Sequence, residues 1–206
     1  INGKTIQLVS EDTRGDQTEA ANAASKLIER DKVAAIVGGV ISSETMTGGP
    51  IANDGKVVMI SSSSTATGVP EIGDYIFRNC LSDEVQAIQL AEYAVDELGL
   101  KKFAIMFTNN DYGLSLKEAF EKKAGELAEV VGVETYNDGE KDFRAQLTKL
   151  KGANPDALYI AGYYTEAAKI AQQAKDQGLD VKFLGADGFY SPVLVELGGE
   201  DVEGAV

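Results

Sequence analysis

Short apolar runs alternate with stretches of helical periodicity along this chain. The runs near 5–9, 33–37, 57–60, 103–107, 129–135, 157–161 and 182–185 have the length and continuity of strands buried on both faces. Helical spacing fills the gaps. Residues 18–31 set Ala20, Ala24, Leu27 and Ile28 on one face, and residues 83–98 do the same with Ile88, Ala91, Ala94, Val95 and Leu98. The segments 113–128, 142–151 and 165–177 behave likewise, with Gly178 placed as a helix stop. Strands regularly separated by helices predict parallel sheets with helices on both faces.

Two lobes fit this pattern better than one. Turn-forming residues crowd Gly68–Asp74, and Tyr75–Arg78 then reads as a short extended segment ahead of the helix at 83–98. The boundary is expected near Arg78–Ser82, giving a first lobe at 1–79 and a second at 80–206. The fold class is therefore α/β, with two doubly wound parallel-sheet lobes. Asn2-Gly3 is a tight-turn signal with nothing ahead of it, and Gly204–Val206 reads as a strand beginning. The expectation is a middle piece of a larger protein.

The chemistry sits where strands end, which is where open α/β sheets bind ligands. Five hydroxyl residues, Ser61–Thr65, follow directly on Val57–Ile60, and the run Val33–Val37 leads through Gly38-Gly39 to Ser42 and Thr45. Later strand ends deliver Asn109–Gly113, then Gly162–Glu166, then Asp187–Tyr190. One lobe thus offers hydroxyls and helix starts, which suit a carboxylate. The other offers tyrosines and Asp187, which suit an ammonium through a charge-assisted bond and aromatic walls. A zwitterion matches both. Ser42 is read either as a ligand contact or as the cap of the following helix. Two of the five hydroxyls at 61–65 are expected to touch ligand, the others serving as turn and cap. Tyr112 is read as site or packing residue, Tyr159 as core, Tyr163 ahead of Tyr164 as site residue, and Cys80 as a small buried apolar group.

Other functions find little support. The chain of 206 residues carries a net charge of −14 with no cluster of Lys or Arg, which argues against nucleic acid. No stretch approaches the ~20 apolar residues of a membrane span. There is no histidine, which removes Ser-His-Asp and Cys-His catalysis and most zinc enzymes, and Cys80 is the single cysteine. None of the 22 glycines lie two apart, so a dinucleotide fingerprint is impossible. Gly49–Lys56 has one residue too many for a phosphate loop, and Val57 stands where a Mg²⁺-binding hydroxyl belongs.

The chain resembles the periplasmic leucine/isoleucine/valine-binding protein family, the solute receptors of branched-chain amino-acid ABC transporters. The resemblance rests on Ala35–Gly39 with Ser42 and Thr45, Pro50–Ala52, Ile60-Ser61 leading to Ser64–Ala66, Phe77-Arg78, Asp111–Gly113, Gly139 with Asp142-Phe143, Gln146-Leu147, Pro155–Ala157, Gly162-Tyr163 and Glu166-Ala167. It implies a type I periplasmic binding fold whose lobes close on an amino acid by hinge motion. It implies that Ser42 and Thr65 bind the ligand's carboxylate and amino end, and that Ser63 offers its backbone carbonyl to the ammonium. Tyr112 and Tyr163 would contribute from the second lobe, and Asp187 would be the acidic partner of the ammonium. Family members often carry a glutamate there, so the shorter aspartate implies a closer approach or a bridging water. The resemblance also implies that the first lobe is incomplete, lacking its first strand and helix and its C-terminal return. It implies no catalysis, no metal and no cofactor, with a membrane permease as partner, no insertion of this chain into the membrane, and a periplasmic or lipid-anchored location at a bacterial cell surface. The alternative is a ligand-sensing receptor or amide-sensing regulatory module on the same fold.

Overall fold

Strand and helix alternate throughout the computed structural model, which describes Gly3 and residues 5–206. The turn expected at Asn2-Gly3 rests on a residue outside those described. Contacts divide the chain into two units, Ile1–Leu81 and Ser82–Val206.

Unit 1 begins its regular structure with α1 (Gln17–Ser25), capped by the Asp16 carboxylate on the Glu19 N–H and continued by a π turn at Lys26–Arg30. Three parallel strands follow, β1 (Ala35–Val37), β2 (Val58–Ser61) and β3 (Ile76–Arg78), in that spatial order, with α2 (Ser42–Asp54) between β1 and β2. Ile36, Met59 and Ile76 point to one face and bury against Ala52, Ala66 and Val69. The opposite face leaves Val37, Val58, Ile60 and Phe77 at the surface.

The strand expected over 5–9 does not form. A strand needs a ladder partner for its N–H and C=O groups, and the sheet of unit 1 runs β1-β2-β3 without this segment. Val9, Ser10 and Glu11 instead line a groove together with Ile36–Gly39, Ala24 of α1 and Leu27 of the π turn. Ile6 and Leu8 consequently stay exposed.

Unit 2 is a four-stranded parallel sheet in the order β5-β4-β6-β7, built from β4 (Lys102–Thr108), β5 (Glu129–Tyr136), β6 (Ala157–Ala161) and β7 (Lys182–Gly185). Its crossovers are α3 (Asp83–Asp96) leading into β4, then α4 (Asp111–Leu127), α5 (Arg144–Gly152) and α6 (Tyr164–Asp176), with a short α7 (Pro192–Gly198) after β7. Side chains alternate across the two central strands. Phe103, Ile105, Ala157 and Tyr159 pack on α3 and α4, whereas Ala104, Met106, Leu158 and Ile160 pack with α5 and α6. This double coverage is why β6 reads as an unbroken apolar run and is buried at every position. The Val206 N–H donates to the Phe183 carbonyl, and its carbonyl accepts from Gly185 N–H, the pattern of a further parallel strand against β7.

Phe120 of α4 stacks on Tyr159 at 4.0 Å and meets Phe103 edge-on at 5.6 Å, fully buried in all three cases. Phe120→Ala is expected to destabilise unit 2 by about 3–5 kcal/mol, the cost of a buried ring plus its cavity. The shift in urea midpoint, at unchanged secondary structure, measures it.

Candidate functional site

In unit 1 the carboxyl ends of β1 and β2 lie side by side, and the hydroxyls after them converge on one backbone atom. Ser61 Oγ donates to the Gly39 carbonyl at 2.6 Å, Ser64 Oγ donates to it at 3.1 Å, and Thr45 Oγ1 lies 3.4 Å away. Ser64 Oγ and Thr45 Oγ1 also pair at 2.7 Å. Ser61 Oγ in turn accepts the Ser64 N–H at 2.9 Å, closing the turn that follows β2. Gly39 adopts φ +43°, and a Cβ there would stand 1.9 Å from Thr45 Oγ1, so this loop requires glycine.

The hydroxyl run therefore divides by use. Ser61 and Ser64 are scaffold, and Ser63 Oγ donates to the Val40 carbonyl at 2.6 Å. Thr65 differs: its hydroxyl is buried and has no hydrogen-bond partner among the described residues. Ser42 is not the helix cap. Ile41 occupies that position, and the Glu44 carboxylate accepts the N–H groups of Val40 (3.0 Å) and Ile41 (3.3 Å) and the Thr13 hydroxyl. Freed from capping, Ser42 Oγ accepts the Ala66 N–H at 3.2 Å. Arg78, at the end of β3, donates to the carbonyls of Thr65 (2.7 Å) and Ala66 (2.8 Å). Cys80 is half-buried rather than core, with its thiol on the Ser64 carbonyl at 3.5 Å.

In unit 2 the ends of β4, β6 and β7 assemble a second cluster. Tyr112, in the first turn of α4, donates its hydroxyl to Asp187 Oδ1 at 2.7 Å and accepts the Gly188 N–H at 2.9 Å. Burial first, and the Asp187 charge second, push the Tyr112 phenol well above its ordinary range. A Cβ on Gly188 would stand 2.5 Å from the Gly162 carbonyl and 2.7 Å from the Tyr112 hydroxyl, so the chain passes here only as glycine. Gln86 of α3 accepts the Asp187 N–H at 3.1 Å. The Asp187 side chain itself is exposed and, among the described residues, in no ion pair.

Tyr163 stacks on Tyr112 with ring centroids 5.1 Å apart, while the adjacent Tyr164 turns to the opposite side of the sheet and packs with α5 and α6 residues. Tyr159 is fully buried. The structure thus brings Ser42, Ser63 and Thr65 together in unit 1, and Tyr112, Tyr163 and Asp187 together in unit 2. Two residues that hold these clusters had no assigned role in the sequence: Arg78 and Gln86. A helix-face glutamine and a strand-end arginine carry no local signal of such a task.

A family model described as "Periplasmic binding protein" matches residues 1–206. The chain belongs to that family. Among curated members, it is 31% identical to the Leu/Ile/Val-binding protein of Escherichia coli K12, covering 99% of this chain and 56% of that one. It is also 31% identical to the leucine-, isoleucine-, valine-, threonine- and alanine-binding protein of Pseudomonas aeruginosa, covering 99% and 55%. A leucine-binding protein from Thermotoga maritima superposes with TM-score 0.93 at 39% identity, over 98% of this chain and 58% of that one. A branched-chain amino acid transporter substrate-binding protein from Streptococcus pneumoniae, solved with isoleucine, gives TM-score 0.87 at 34% identity over 97% and 57%. This family member thus spans about half the length of the curated relatives it matches. No helix among the described residues is long and apolar enough to cross a membrane.

The two Arg78 bonds hold the backbone of the hydroxyl loop from below. Arg78→Ala is expected to cost about 2 kcal/mol, the loss of charge-assisted bonds to two carbonyls. Amide hydrogen exchange should accelerate over residues 61–66 more than elsewhere in unit 1, and Arg78→Lys should recover part of the protection.

Proposed function

We propose that the protein is an extracytoplasmic solute receptor that binds an amino acid, branched-chain or related, and delivers it to the membrane permease of an ABC importer. It acts by binding and release without turnover. The observation that carries this reading is Asp187: an exposed carboxylate held by the Tyr112 hydroxyl and the Gln86-bonded turn, beside stacked tyrosines, with no cationic partner among the described residues. Such a group suits an ammonium, which gains a charge-assisted bond and apolar walls at once. In unit 1, Ser42 and the buried Thr65 hydroxyl lie at the end of β2 beside the start of α2, where backbone N–H groups and the helix dipole favour a carboxylate. Ser63 keeps its hydroxyl on Val40 and would offer its carbonyl. The Escherichia coli and Pseudomonas relatives, whose names state branched-chain amino acids as ligands, support the same ligand class. The family supports an extracytoplasmic location, which we take to be periplasmic or lipid-anchored at the cell surface.

A thermal-shift screen of the twenty amino acids and their amides on the full-length protein tests the reading. Leucine, isoleucine or valine at a hundredfold excess over Kd should stabilise by about 2.7 kcal/mol, raising the melting temperature by several degrees. No response to any of them refutes it.

Asp187→Ala is expected to abolish that response. The side chain is exposed and its bond to the Tyr112 hydroxyl lies outside the sheet ladders, so the far-ultraviolet circular dichroism spectrum should be unchanged. Retention of wild-type affinity would remove Asp187 from the site.

A further inference from the structure

The turn that carries Asp187 does not close all of its own backbone bonds. It is a single 3₁₀ turn, Asp187–Phe189. Within it the Phe189 N–H donates to the Ala186 carbonyl and the Tyr190 N–H to the Asp187 carbonyl, each at 2.9 Å. The N–H groups of Asp187 and Gly188 come first and have no carbonyl behind them, as at any helix start. Ala186 holds the cap position and has no side-chain acceptor to offer.

Two side chains from other helices supply the acceptors. Tyr112 of α4 accepts the Gly188 N–H at 2.9 Å. Gln86 of α3 accepts the Asp187 N–H at 3.1 Å, from 101 residues away in sequence. Tyr112 also donates to Asp187 Oδ1 at 2.7 Å. Tyr112 thus restrains the side chain of Asp187, and Gln86 restrains its main chain at the amide.

Gln86 stands on a fixed platform. Its helix is capped by Ser82, whose Oγ accepts the Val85 N–H at 3.3 Å, and the next residue, Ala87, is fully buried. A backbone N–H only donates, so the Gln86 amide must turn its oxygen to Asp187. What the turn requires at position 86 is an acceptor, and the NH₂ end takes no part in it.

We propose that Gln86 is a positioning residue of the ligand site: by accepting the Asp187 N–H it caps the turn from α3 and sets the Asp187 carboxylate for the ammonium of the bound amino acid. The ligand part of this inference rests on the receptor function proposed above. Gln86 touches no ligand in this role; it acts through Asp187.

Two variants separate this role from packing and from direct contact. Gln86→Met keeps the length of the side chain and removes the acceptor, whereas Gln86→Glu keeps the acceptor and removes the NH₂. In the full-length protein, Gln86→Met should weaken binding of L-leucine, L-isoleucine and L-valine, measured by calorimetry, by about fivefold, the worth of one hydrogen bond. Gln86→Glu should stay within about twofold of wild type. Unchanged affinity in Gln86→Met would leave the residue a packing element. An equal loss in Gln86→Glu would make its NH₂ a direct ligand contact. Either result overturns the proposal.

A ligand-free measurement runs alongside. With ¹⁵N-labelled aspartate, the Asp187 amide cross-peak is assigned by its loss in Asp187→Ala. In Gln86→Met it should shift upfield in the proton dimension and exchange faster with solvent; in Gln86→Glu its protection should be retained. An unmoved cross-peak with unchanged exchange in Gln86→Met overturns the cap. Should the wild-type protein take none of the three amino acids, the receptor function falls, and the cross-peak alone then decides whether Gln86 holds the Asp187 turn.

Discussion

Parallel pairing is the constraint on which the rest of this molecule depends. When every strand of a sheet runs the same way, all carboxyl ends arrive at one edge, and each crossover helix starts from that edge. In unit 1 this sets Gly38–Ser42 beside Ser61–Thr65, since Val37 pairs with Ile60 in the ladder. In unit 2 it sets Asn110, Tyr163 and Asp187 at the ends of three strands that are neighbours in the order β4-β6-β7. An antiparallel arrangement of the same segments would scatter these groups to opposite edges.

Collecting polar groups at an edge creates a second demand. Loops that turn back under a sheet carry backbone atoms that need partners. Much of the hydroxyl density in unit 1 answers this demand, with the Gly39 carbonyl taking Ser61 and Ser64, and Ser63 satisfying Val40. Arg78 does the same for Thr65 and Ala66. Scaffold and site are thus made of the same residue types, distinguished by whether a partner is already in place.

That is also why the fold was more legible than the site. Buried strands such as Ala157–Ala161 and helices such as Asp83–Asp96 are dictated by apolar periodicity, a property of the local sequence. The segment 5–9 shows the limit of that signal: it has the composition of a strand but no ladder to join, and pairing is not a local property. Within the site, the periodic pattern located the strand ends but not the allocation of hydrogen bonds. Ser42 reads as a cap or a ligand contact; Ile41 holds the cap position, and Glu44, two residues beyond Ser42, reaches back to the Val40 and Ile41 amides. Tyr163 and Tyr164 are indistinguishable as letters; helix phase sends one toward Tyr112 and the other toward the α5–α6 side.

Tyr112 and Tyr163 lie against each other yet do different work. Tyr112 has its proton on Asp187 and a lone pair on the Gly188 N–H, and it is buried. Its capacity is spent on holding an acid at the rim of the sheet, which allows the short aspartate side chain to keep one orientation without a basic neighbour. Tyr163 is only half-buried and meets Tyr112 ring to ring, 5.1 Å between centroids. One ring therefore fixes a carboxylate, while the other supplies an aromatic face beside it. An exposed carboxylate flanked by an aromatic face is the arrangement on which the proposed recognition of an ammonium rests.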